Sequence, residues 1–223
     1  MTIDEVYQLV LYSTSKNLQQ GYVSPQDFNL VINQAQQSYA TYLLGGFQQY
    51  TPGRPIARVE FGQNTIIRTR LAPIIYWTNL TVDGTGYVDY PEDYLQTDAM
   101  FTEDGYQRVR SVQQDSLYSF YNSQIDPVEE NPIYILEDTG FRFFPINIGT
   151  AKLSYVAVPP QIVWAYTLDA NGIPVYDSAT SVDPVWDDAS ILEIIVRALA
   201  IIGVNLQLTV VEQYSNLIKT QGQ

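Results

Sequence analysis

Apolar residues recur at three- and four-residue steps at both ends of this chain and alternate with polar ones in its middle. The densest run, 187–203, reads D-D-A-S-I-L-E-I-I-V-R-A-L-A-I-I-G. Its period predicts a helix that is apolar almost all round, and therefore buried on most sides. Asp187 and Asp188 suit the positive end of a helix dipole, and Gly203 suits a left-handed terminator. Glu193 and Arg197 stand four apart, in the favourable order for an intrahelical pair. A central core helix is the plain reading; the alternative is that part of its apolar surface meets another subunit. The two charges and the modest length argue against a membrane span, which needs about 20 mostly apolar residues.

The amino-terminal third is also helical in pattern. Thr2-Ile3-Asp4-Glu5 has capping-box spacing and predicts a helix over 3–18, with Val6, Tyr7, Val10 and Leu11 on its inner face. Gly21 closes that region. Ser24-Pro25-Gln26-Asp27 is a second start signal, with proline at the first helical position. Phe28, Val31, Ile32, Ala35, Tyr39, Tyr42 and Leu43 follow at helical steps, and Gly45-Gly46 is the stop. Residues 47–55 form a loop, broken by two prolines and a glycine. From Ile56 the pattern changes. Segments 57–61, 65–71, 74–77, 80–82, 87–90 and 107–112 read as short strands, with turns at Asp83-Gly84 and Thr85-Gly86. Residues 91–94 read as a turn or a single helical turn, and 115–123 as a short helix. The clearest strands are 133–136, 140–144 and 151–158, the first two joined by Asp138-Thr139-Gly140. Residues 167–185 read as irregular, and 206–219 as a last helix.

The predicted fold class is α+β: amino- and carboxy-terminal helices forming one helical bundle, with a mostly antiparallel β insert. The expected domains are 1–55 (helical hairpin), 56–163 (β insert) and 164–223 (irregular segment and final helices). No fixed-period repeat suggests a solenoid.

Composition narrows the chemistry. The 223 residues contain no cysteine and no histidine. Thiol chemistry is excluded, along with the usual general base and the commonest metal ligand. With 24 acidic against 11 basic residues, the net charge is −13, a surface that repels phosphate rather than gripping it. Eighteen tyrosines and three tryptophans favour partly buried contact surfaces. The opening M-T-I-D-E lacks a basic stretch before an apolar run, so no signal peptide is expected. There is no Gly-Lys-Ser/Thr phosphate loop. The adjacent carboxylates Glu92/Asp93 and Glu129/Glu130 are the candidates for glycoside chemistry, although loop pairs of this kind are more often solvated turns. Asp169-Ala170-Asn171-Gly172 lacks the spacing and terminal glutamate of an EF-hand and reads as a turn. No cofactor and no metal is expected. The acids at Asp83, Asp89, Glu92, Asp93, Asp98, Asp126, Glu129 and Glu130 serve solubility or form a negative wall.

The segment G-Y-V-S-P-Q-D-F-N-L-V-I-N-Q-A-Q-Q-S-Y (21–39) resembles the amino-terminal hairpin of virion structural proteins from phages of gut Bacteroidetes. Y-V-D-Y-P-E-D-Y (87–94), N-P-I-Y (131–134), F-F-P (143–145) and L-S-Y-V-A-V-P-P (153–160) follow in the same order, and the helix–Gly–helix ending with Glu212-Gln213-Tyr214 fits as well. The whole resembles the ring, or head-to-tail connector, proteins of crAss-like phages. That resemblance implies a non-enzymatic virion protein at the head–tail junction, assembled in the host cytoplasm. It implies a homo-oligomeric ring, commonly of twelve copies, under the portal protein and against adjacent ring or tail proteins. Passing DNA would be contacted weakly and non-specifically, and no membrane is involved. Under this reading Phe47, Tyr50, Val211, Tyr214 and Leu217 are the expected protein contacts, and Glu92, Asp93, Glu129 and Glu130 the expected channel-facing acids. The alternative is a glycan-binding or host-recognition module of a phage tail, with Trp77, Trp164 and Trp186 as its test positions. A carboxylate-only glycoside hydrolase using Glu129 is the third reading.

Overall fold

A computed structural model describes residues 1–15, 23–45, 65–105, 107–117, 120 and 127–205. The expected contacts Phe47, Tyr50, Val211, Tyr214 and Leu217 lie outside the described residues, as do Gly21, Gly46, the segments 47–55, 57–61 and 206–219, and parts of 3–18 and 115–123. In chain order the elements are α1 (Ile3–Ser15), α2 (Pro25–Leu43), α3 (Thr65–Leu71), a 3-10 turn (Ala72–Ile74), β1 (Ile75–Thr81), β2 (Tyr87–Asp89), β3 (Tyr94–Thr102), β4 (Arg110–Ser111), β5 (Ile133–Leu136), β6 (Gly140–Phe144), β7 (Thr150–Ala157), β8 (Tyr166–Leu168), β9 (Pro174–Tyr176) and α4 (Asp188–Asn205). The chain divides into two compact units, Met1–Pro73 with Pro159–Gln223, and Ile74–Val158.

In the first unit the terminal helices pack together, α1 and α2 against α4. The capping box forms as read: Thr2 N donates to Glu5 Oε2 at 2.9 Å and Glu5 N to Thr2 Oγ1 at 3.4 Å. Ser24 caps α2 by accepting from Asp27 N at 3.1 Å, ahead of Pro25. Gly45, at φ 82°, stops α2 by donating to the Tyr42 carbonyl at 3.1 Å. Phe28, Val31, Ile32, Ala35, Tyr39 and Leu43 are all buried. Each large apolar side chain among them contributes roughly 1.5–3 kcal/mol by leaving water.

The other face of α2 works through hydrogen bonds. Asn29, Asn33 and Gln36 lie at helical steps and hold the extended stretch 160–164 where the chain re-enters this unit. Asn33 donates to the Ile162 carbonyl at 2.7 Å and accepts from Ile162 N at 2.9 Å. Asn29 does the same with Trp164, at 3.0 and 2.8 Å, and Gln36 donates to the Pro160 carbonyl at 2.9 Å. A strand partner is thereby replaced by side-chain amides, each offering both a donor and an acceptor.

Three sequence expectations are corrected here. Thr65–Leu71 is helix, not strand. Its β-branched residues cost only tenths of a kcal/mol each in a helix, and anchoring decides: Leu71 is fully buried, and Arg70 pairs with Glu193 of α4 at 2.5 Å. Gly203 does not end the last described helix, which continues to Asn205. In burial α4 follows its pattern: most of its apolar residues are buried, with Leu192 exposed. Residues 167–185, expected to be irregular, contain the β8–β9 hairpin, which pairs Tyr166 with Tyr176.

The second unit is a small sandwich. One sheet has the order β1-β7-β3, the other β2-β6-β5-β4. All pairings are antiparallel except β4 with β5. The two inner faces meet in one core, with Leu80, Met100, Leu153 and Tyr155 from the first sheet and Tyr134, Phe141 and Phe143 from the second. The expected pieces 74–77 and 80–82 are a single strand, β1. The turn after it joins the two sheets rather than closing a hairpin, because β1 pairs with β7 and β2 with β6. Gly86, at φ 79°, makes that crossing, and its carbonyl accepts from Phe143 N at 2.7 Å. The strand expected at 107–112 also serves both sheets. Arg108 bridges Phe101 of β3, while Arg110–Ser111 pairs with β5.

Candidate functional site

The four expected channel acids are all exposed, but they do not form one cluster. Glu92 and Asp93 precede β3, next to the end of β7: the Asp93 carbonyl accepts from Val158 N at 2.7 Å. Glu129 accepts a hydrogen bond from the Asn147 amide, just before β7 begins, and Glu130 stands beside it. The eight residues of β7 therefore separate the pairs by about 23 Å at the usual strand rise. Neither pair can act across a glycosidic bond with the other, because the catalytic carboxylates of glycosidases stand no more than about 9.5 Å apart.

Asp93 also accepts from the Tyr155 hydroxyl at 2.8 Å. Burial, and then this hydrogen bond to a carboxylate, push the Tyr155 phenol up to about 12. Burial also pushes Tyr90 up to about 12; its hydroxyl donates to the Glu137 carbonyl. A phenol whose folded value exceeds its unfolded one stabilises the fold fully below the unfolded value. That contribution is lost as pH rises from the ordinary 10.0 through about 12. Denaturation midpoints are thus expected to hold up to pH 10 and then fall together with the appearance of tyrosinate absorbance. Tyr155→Phe should flatten part of that fall; an unchanged slope in the variant would contradict the assignment.

Other carboxylates are occupied by their own turns. Asp169 Oδ1 accepts from Asn171 N at 2.9 Å and Ile173 N at 2.8 Å. The second of these bonds is the larger cause of its lowered pKa. Asp83 Oδ1 accepts from Tyr87 N and Thr85 N, both at 2.8 Å, with the same result. Both are turn-closing groups, not ligands in waiting. Among the described residues no group of three or more acidic side chains could hold a metal ion, and no helix is long and apolar enough to cross a membrane.

Two of the three tryptophans are core residues. Trp164, 3% exposed, donates to Asp4 Oδ1 at 3.0 Å and lies between Tyr7, Tyr166 and Tyr176. Trp186, 4% exposed, donates to Gln36 Oε1 at 2.9 Å. Only Trp77 is on the surface, at 63% exposure, stacked on Phe101 with ring centres 5.8 Å apart. A glycan platform built on all three tryptophans is therefore not available.

One feature of the β unit was not anticipated from the sequence: a groove of about 700 Å³ lined by Gln107, Arg108, Arg110, Ser111, Glu130 and Asn131. Its only sequence signal is Arg-Val-Arg (108–110), a pair of cations flanking an apolar residue in an acidic chain.

The described residues thus show turn-bound carboxylates and a polar groove. Residues 56–213 match the family described as SU10 adaptor protein. The chain belongs to the SU10 adaptor family. This is a family of phage head-to-tail connector adaptors, non-catalytic structural proteins of the virion. Such adaptors work within multimeric connector assemblies at the head–tail junction. The match spans the whole β unit and α4 of this adaptor, while α1 and α2 lie before it. No curated protein matches the chain.

Proposed function

We propose that this adaptor closes into a ring, of twelve copies, beneath the portal protein, where it extends the channel for DNA and seats the next ring or tail component. The family match over residues 56–213 carries this reading. A ring needs two different patches on each subunit that meet on rotation, and the helical and β units supply chemically dissimilar surfaces. The net charge of −13 suits a bore through which DNA must slide, since few phosphate–cation contacts can form. In this reading Glu92 and Asp93 stand on the bore wall at one end of β7, and Glu129 and Glu130 mark its other end. Phe47 and Tyr50, with Val211, Tyr214 and Leu217, supply contacts to the portal or to the next tail component. DNA is touched weakly and without sequence preference.

Electron microscopy of the purified chain mixed with portal particles tests this. The expected image is a closed ring of extra density coaxial with the portal. A chain that stays monomeric and leaves the portal bare would contradict it.

A further inference from the structure

Arg70 and Arg197 face Glu193, and Arg142 faces Glu137, so these are spoken for. Arg108 and Arg110 are not. Both are exposed, and neither makes an ion pair among the described residues. The backbone puts them side by side. Residues 107–109 are tied to β3 through Thr102 N to the Gln107 carbonyl (2.9 Å) and Val109 N to the Met100 carbonyl (2.8 Å). From Arg110 the chain is tied to β5 instead, through Arg110 N to the Pro132 carbonyl (3.2 Å) and Val112 N to the Tyr134 carbonyl (2.9 Å). Val109 points into the core, so its two neighbours point outward, about 7 Å apart along the strand. The side chains of Gln107, Ser111 and Asn131 add neutral hydrogen-bond donors to the same groove. Phe101, bridged to Arg108, and the exposed Trp77 stacked on it form an aromatic border.

We propose that this groove receives carboxylates of the next copy of the chain, as the acceptor half of a head-to-tail contact; the proposal rests on the ring reading above. Two guanidiniums that make no ion pair among the described residues, in a chain carrying 24 acids, match a second copy in charge. Arginine beside aromatics is also the usual composition of an interface core. A nucleic-acid duplex fits less well. It presents a charge about every 1.7 Å, whereas this groove has Glu130 on its own wall and Glu129 beside it. Such a site takes one or two carboxylates from a folded surface, not a run of phosphates.

The test compares wild type, R108E/R110E and the milder R108Q/R110Q on portal particles, by electron microscopy and light scattering at low and high salt. Melting curves confirm that each variant is folded, and the neutral pair carries the test if the reversed pair is not. R108E/R110E is expected to lower ring occupancy at least ~10-fold, as loss of a close interfacial charge pair does. R108Q/R110Q should lower it less and reduce its salt dependence. Mixed as a minor component into wild type, R108E/R110E should also leave rings incomplete, because its own carboxylate face still docks. Folded variants that close rings as wild type does would overturn the proposal while leaving the ring in place. Intact rings with weakened DNA retention would overturn it too, and would assign the groove to nucleic acid. A wild-type chain that forms no ring at all would overturn the ring reading itself.

Discussion

Gly140→Ala should lower the stability of the β unit by about 3 kcal/mol, at the upper end of what overpacking costs. Gly140 opens β6 opposite Asp89 of β2. A Cβ there would stand 2.1 Å from the Val88 carbonyl oxygen and 2.7 Å from the Tyr87 hydroxyl oxygen. The first of these is backbone and cannot rotate away, so β2 must separate from β6 and the Val88 and Tyr90 packing on the core is disturbed. Gly84→Ala is the control. Nothing lies within 4 Å of its added Cβ, and the expected change is under about 0.5 kcal/mol. Urea midpoints measured by near-ultraviolet circular dichroism separate the two; equal midpoints would mean that β2 does not pack on β6 as described.

The second large effect is in the helical unit. Trp186→Ala should cost about 4 kcal/mol, from the cavity left by a buried indole and from an orphaned acceptor. Trp186 meets Tyr39 edge-on with ring centres 5.3 Å apart, and its Nε1 donates to Gln36, which is 1% exposed. Gln36 in turn holds the Pro160 carbonyl, so the loss reaches the clamp on the returning chain. Trp186→Phe keeps a ring against Tyr39 and removes only the donor, and should cost about 1–2 kcal/mol. Thermal melts of both variants decide it. Similar losses in the two would show that the polar link, not the packing, dominates.

Helices α1, α2 and α4 were legible because their signals are local. The Thr2/Glu5 box, the Ser24 cap and the Gly45 stop each act within one turn, and all three form as read. The strands β5 and β6, with their Asp138-Thr139-Gly140 turn, were legible for the same reason. By contrast β3, the longest of the described strands, was not anticipated at all. Two bulges, between Tyr94 and Gln96 and between Thr97 and Ala99, shift the register. The positions opposite the inward residues of β7 are then Tyr94, Thr97, Met100 and Thr102, so the spacing is three across each bulge and two only after them. Period-two alternation is lost wherever an extra residue is inserted. Helix α3 was missed because its anchors, the burial of Leu71 and the pairing of Arg70 with Glu193 across more than a hundred residues, are tertiary. The candidate sites divide in the same way. The acids were visible as sequence pairs, but only β7 shows that they lie at opposite ends of a strand. The arginine groove depends on residues 107–112 changing partners between sheets, which no local pattern encodes.

Phage particles assembled without this chain test most directly whether it works by shape and self-association. Filled capsids carrying a portal but no tail should accumulate, and supplying the purified chain should restore tail attachment. Particles that join capsid to tail and deliver their genome in its absence would contradict a connector role.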